Sequence, residues 1–93
     1  MIINQEILHA TIKKWGSDAQ LEMVKEECME LALAIQKYQR GFSQERLDNL
    51  IDEIADVNIM IAQANMLFDH EKIQERIDFK LNRLQNRIDR SEF

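Results

Sequence analysis

The chain has 93 residues, 45% of them hydrophobic, with no proline and only two glycines, Gly16 and Gly41, a composition that favours one helical domain over residues 1–93 with a modest core. Seventeen Asp and Glu against twelve Lys and Arg leave a net charge of −5, which argues against a nucleic-acid partner but not against a protein that handles phosphates through a bound cation. The one cysteine, Cys28, makes no intrachain disulfide, and with no signal-like stretch and no long apolar run the expectation is a cytoplasmic protein with no membrane partner.

The first helix is expected from about Asn4 to Trp15, closed by Gly16, a residue suited to a left-handed cap. The second opens at "SDAQ", where Ser17 can cap and Gln20 can reach back as a capping box, and it runs to Arg40 before Gly41. The third follows Ser43, carries Glu45 in its first turn and runs to about Phe68. The fourth follows an Asp69 cap and continues to about Arg90. Short connections make sequential helices antiparallel neighbours, so the expected fold is all-α, a four-helix bundle. A domain of this size has little stability to spare, and an oligomer is expected.

Apolar residues recur at helical spacing on three of these segments. They are Leu21, Val24, Cys28, Leu31, Ile35 and Tyr38 on the second, and Leu47, Leu50, Ile54, Val57, Ile61 and Phe68 on the third. On the fourth they are Ile73, Ile77, Leu81, Leu84 and Ile88. All are expected in the core, with Cys28 inert among them.

Acidic pairs three residues apart are common here, and position separates them. Glu45/Asp48 and Glu75/Asp78 fall well away from the apolar stripes and read as solvated. Glu27 and Glu30 instead lie on the flank of their stripe, in line with Met23 and Ala34. Glu53 and Asp56 share the corresponding flank with Asn49 and Met60. Packed antiparallel, two such flanks line one groove, and four carboxylates there repel: about 1 kcal/mol per pair at ~4 Å in water, about 4 kcal/mol at an effective dielectric of ~20. A divalent ion resolves that conflict, and an all-oxygen set suits Mg²⁺ or Mn²⁺. The spacing alone leaves solvated or salt-bridged acids as an equal alternative. On the fourth helix Arg76, Lys80, Arg83 and Arg87 form one basic line beside the apolar stripe. They either balance the acids across the bundle or hold a phosphate chain against the metal.

In Glu26-Glu27-Cys28-Met29-Glu30 and Glu53-Ile54-Ala55-Asp56 the chain resembles the MazG-like, all-α nucleoside triphosphate pyrophosphohydrolases, whose pattern is EExxE on one helix and ExxD on the next. The surrounding stretches "WGSDAQLEMVKEECMELALAIQKYQRG" and "LIDEIADVNIMIAQ" are similar to short, stand-alone and phage-type members, and the likeness spans residues 12 to 88. It implies the four-helix fold of that type, assembled as a homodimer or dimer of dimers with sites near subunit contacts. The implied activity is Mg²⁺-dependent hydrolysis of a nucleoside triphosphate to monophosphate and pyrophosphate. Carried over by residue, Glu27, Glu30, Glu53 and Asp56 become metal ligands, and Glu26 with Glu27 the catalytic acids, Glu26 either supporting the ligands from behind or acting as a base that orients water. "FKLNRLQNR" matches the family's basic segment and makes Lys80, Arg83 and Arg87 phosphate-binding candidates. Phosphoryl transfer needs positioning and charge neutralisation more than a protein nucleophile, and no nucleophilic triad is evident.

Trp15 reads as a helix-end anchor or a stacking surface for a base. Asn58 and Asn65 fall on the third helix's stripe, as core hydrogen-bonding groups or as groups that read base or sugar, Asn58 the better placed. Glu6 and His9 give one Glu-x-x-His step, but a di-iron bundle needs two, and His70 has Leu67 three residues before it. Phe79 lies off its stripe and is expected exposed or in a subunit contact. The principal rival to an enzyme is a non-enzymatic helical interaction protein with a vestigial acidic site.

Overall fold

The computed structural model describes residues 2–90, and every regular element among them is an α-helix. These are α1 (Gln5–Trp15), α2 (Ser17–Arg40), α3 (Gln44–Leu67) and α4 (His70–Asp89). No helix among the described residues is long and apolar enough to cross a membrane.

Three of the four starts are fixed by side-chain caps. Asn4 Oδ1 accepts from the backbone N–H of Glu6 and Ile7 at 2.9 and 3.2 Å. Ser43 Oγ accepts from Arg46 N–H at 3.1 Å, and Asp69 Oδ1 from Glu71 and Lys72 N–H, both at 3.1 Å. Each satisfies donors the first turn cannot. The start of α2 differs from expectation. Its cap is Gly16, which has no side chain, and the Ser17–Gln20 capping box does not form. The reason is the connection: one residue joins α1 to α2, so Ser17 is already helical and Gln20 turns inward and is buried.

Gly16 does both jobs with its backbone. Its N–H donates to the Ile12 carbonyl at 2.8 Å, and its own carbonyl accepts from Gln20 N–H at 3.2 Å. That requires φ 88°, ψ 161°, a conformation essentially reserved to glycine. An added Cβ meets nothing within 4 Å, so the penalty for a side chain is conformational. Gly16→Ala is expected to lower unfolding free energy by about 1–3 kcal/mol; an unchanged urea midpoint contradicts this.

α2 and α3, 24 residues each, form the principal contact of the chain. They run antiparallel: Gln20 and Met23 share a pocket with Met60 and Gln63, while Glu27 and Glu30, farther along α2, meet Glu53, farther back on α3. α1 lies across one end of the pair and buries Leu8, 2% exposed. α4 touches α3 sparingly and makes no contact with α2.

Within one chain, then, the helices do not close into the expected bundle. The radius of gyration is 16.2 Å, against about 12 Å for a compact chain of this length. The accessible surface is 7534 Å², roughly 1,900 Å² more than the ~5,700 Å² usual for this mass. The excess falls on the residues expected in the core. Leu21, Ile35 and Tyr38 on α2, Ile54 and Ile61 on α3, Phe68 beyond it, and Ile77, Leu81 and Ile88 on α4 are all exposed. So is Cys28. Their periodicity is helical as read, but the surface they face is not supplied by α4 of the same chain.

Candidate metal centre and the pocket beside it

The antiparallel α2–α3 pairing brings three of the four expected metal ligands together. One carboxylate oxygen from each of Glu27, Glu30 and Glu53 lies within 4.8 Å of the others. Helical spacing explains the set: Glu27 and Glu30 sit one turn apart on α2, and Glu53 meets them from α3. Asp56, one turn on from Glu53, stands close enough for its charge to act on both Glu27 and Glu53.

Glu27 and Glu53 are half-buried, and Oε2 of each is shut away from solvent with no hydrogen-bond donor. Glu30 and Asp56 are exposed at the rim. Among the described residues no cationic side chain enters the cluster; Lys25 pairs with Glu22 at 2.8 Å on the exposed surface of α2. Loss of solvation, followed by the charges of Asp56, Glu30 and Glu53, therefore raises the Glu27 pKa above its ordinary 4.5. Loss of solvation raises Glu53 as well, with Glu30 and Asp56 adding to it. By contrast, Asp48 and Asp78 are exposed and each accepts a hydrogen bond from a glutamine four residues earlier on its own helix, at 2.9 Å.

Two buried acceptor oxygens without donors, in a knot of like charge, form a donor set that fits a hard divalent cation. The absence of imidazole and thiolate favours Mg²⁺ or Mn²⁺ over zinc. Neither His9 nor His70 belongs to a cluster of metal-binding groups among the described residues, so the di-iron arrangement does not form.

The remaining candidates are dispersed. Glu26 is exposed on α2, lining a shallow recess with Met29, Glu30 and Leu33 rather than entering the cluster. Lys80, Arg83 and Arg87 are exposed on α4. None of them is ion-paired among the described residues, and α4 does not reach α2, so within one chain the basic line does not balance the acids. Arg76 stacks instead on Phe79, 4.6 Å from the ring centroid. Asn58 is half-buried and donates to the Ile54 carbonyl of its own helix at 2.8 Å. Asn65 lines a cleft with His9 and His70. Trp15, 57% exposed, leans over a pocket.

That pocket, 530 Å³ between α1, α2 and α3, is lined by Trp15, Met23, Ile59 and Met60, with Thr11, Gln20 and Gln63 among the polar groups. It begins one turn from the acids, since Met23 precedes Glu27 and Met60 follows Asp56 by four residues each. Thr11 and Gln63 were not singled out from sequence, and Gln20 only as a helix-capping residue. A signal was present, because the acid-bearing flanks extended by one further step reach Gln20 on α2 and Gln63 on α3. Glutamine on a helix reads as solvated, which hid it. Gln63 is 1% exposed, its Nε2 donates to Thr11 Oγ1, and Thr11 Oγ1 donates to the Leu8 carbonyl at 2.7 Å.

Comparison of the chain with protein-family models, with curated proteins and with solved structures finds no match in any of the three.

Proposed function

We propose that the protein is a Mg²⁺-dependent nucleoside triphosphate pyrophosphohydrolase of the MazG-like, all-α type. The observation that carries this reading is the trio Glu27, Glu30 and Glu53, with two donor-free buried oxygens facing a like-charged cluster. Glu27, Glu30 and Glu53 hold the cation and Asp56 completes the set from the rim. Bound there, Mg²⁺ supplies neutralisation of the phosphate oxygens and a lowered pKa for the attacking water. Glu26, at the open side beside Glu30, orients that water. Trp15 offers a ring face to the base. Lys80, Arg83 and Arg87 offer donors to the departing pyrophosphate as it gains charge. The direct test is product identity by phosphorus NMR: monophosphate and pyrophosphate are expected, and release of orthophosphate alone contradicts the reading.

The site needs a second copy. α4 stands off α2, and the excess surface of roughly 1,900 Å² on one chain is more than the about 800 Å² that each partner buries in a standard dimer. A homodimer or dimer of dimers covers the Ile77, Leu81 and Ile88 stripe and brings the basic line of one chain toward the acids of another. Light scattering at micromolar concentration is expected to give a multiple of the 11.1 kDa chain; an active monomer contradicts the assembly. The same exposed stripe favours the second reading, a helical interaction protein with a vestigial acid site. That protein self-associates without any metal-dependent release of pyrophosphate.

A further inference from the structure

We infer that the pocket under Trp15 selects nucleobases carrying an exocyclic amine at the position farthest from the sugar, and that the carbonyl of Gln63 makes the selection. The inference rests on the nucleotide reading above and adds which bases are accepted.

The polarity of the pocket follows from a chain of three groups. A threonine hydroxyl has one proton, and that of Thr11 goes to the Leu8 carbonyl at 2.7 Å. Thr11 Oγ1 can then only accept, and it accepts from Gln63 Nε2. The amide of Gln63 is thereby fixed in one of its two orientations. A flipped amide sets its carbonyl against the threonine lone pairs. What Gln63 keeps to offer is Oε1, a buried acceptor to which no described group donates. The side chain is 1% exposed and lines the pocket. An apolar side chain filling the pocket leaves that acceptor unmet; a hydrogen-bond donor satisfies it.

The position of Gln63 says which donor. It lies seven residues beyond Asp56 on α3, about 10 Å along the axis from the acid edge. With phosphates at the acids, the sugar comes next, and the base enters with its distal edge leading. The leading substituent is the one at C4 of a pyrimidine or C6 of a purine. In cytosine and adenine it is an amine, a donor; in uracil, thymine, guanine and hypoxanthine it is a carbonyl, an acceptor. Opposed carbonyls repel at that position, so an amine there is favoured over a keto oxygen; a keto base must shift to offer its neighbouring ring N–H instead. Trp15 and Met60 cover the faces of either ring without regard to that atom.

The test uses matched monophosphates that differ only there, AMP with IMP and CMP with UMP, bound to the full chain in Mg²⁺. Trp15, the single tryptophan, reports binding by its fluorescence, and equilibrium dialysis checks it. The aminated member of at least one pair is expected to bind about 10- to 100-fold more tightly, the range of one well-made base contact. Tighter AMP assigns adenine, tighter CMP cytosine. Gln63→Leu is expected to close the gap by weakening the aminated ligand. Thr11→Val frees the amide to turn and is expected to narrow it by admitting the keto ligand. Equal binding within both pairs, tighter binding of IMP or UMP, a gap that survives Gln63→Leu, or no binding of any of the four overturns the inference. Should Gln63→Leu fail to fold, the wild-type pairs and Thr11→Val still decide. Pairs that discriminate while no triphosphate is hydrolysed support the pocket assignment and overturn the hydrolase reading alone.

Discussion

The Glu27→Gln/Glu53→Gln variant is expected to melt higher than wild type in chelator, and to lose the rise in melting temperature that Mg²⁺ or Mn²⁺ gives wild type at matched ionic strength. Both effects have one source. In the free protein no described cationic side chain pairs with the four carboxylates of the α2–α3 groove, and two of them are partly desolvated. A ligand that binds only the native state adds RT ln(1 + [L]/Kd), about 2.7 kcal/mol at a hundred times Kd. The pH dependence has a definite sign. Glu27 and Glu53 have folded values raised above the ordinary 4.5, so between the two the native state binds more protons than the unfolded one. Their unfavourable contribution is absent below the ordinary value and grows as pH rises through the raised folded values. These two groups therefore add stability to wild type in chelator as pH falls from neutral toward 4.5, they add none in the variant, and Mg²⁺ flattens the wild-type response. Denaturation scans at several pH values check this; a wild type indifferent to both millimolar Mg²⁺ and that pH step contradicts the site.

Lys80→Ala and Arg83→Ala are each expected to lower kcat/KM by about 10- to 1000-fold while keeping the fold and the Mg²⁺ response. A charge-assisted hydrogen bond is worth roughly 1.5–3 kcal/mol, and more in a desolvated site. Neither side chain has an ion-pair partner among the described residues, so their removal costs little stability. Glu75→Ala, on the same helix and exposed, is the control and is expected to leave turnover intact. Because α4 makes no contact with α2, mixtures of the Arg83→Ala and Glu53→Gln chains are also expected to recover activity neither has alone. Wild-type turnover in both basic variants assigns the line to assembly or solubility, and the phosphate contacts must then lie elsewhere.

Helix number, type and boundaries were legible because they depend on local terms: apolar period, Asn4, Ser43 and Asp69 as caps, and the two glycines. The Ser17 cap was misread because the sequence does not show that one residue connects α1 to α2. The acid trio was legible because it needs only helical spacing on two antiparallel neighbours. The path of α4 was not, since nothing local says whether an apolar stripe such as Ile77, Leu81 and Ile88 faces its own chain or another. Gln63 was hidden for a different reason. Its burial comes from α1 crossing the end of the α2–α3 pair, a contact between residues 52 positions apart, and the orientation of its amide depends on a threonine proton given to the Leu8 carbonyl.

Whether the α2–α3 carboxylates form a metal-dependent phosphoanhydride hydrolysis site is decided by steady-state pyrophosphate release from a panel of nucleoside triphosphates, with wild type in Mg²⁺, wild type in chelator, and Glu53→Gln in Mg²⁺. Release is expected in the first condition and a fall of at least about 1000-fold in the other two, since a metal ligand acts on the transition state as well as on binding. Pyrophosphate released at equal rates by Glu53→Gln, or by no triphosphate in Mg²⁺, contradicts the account.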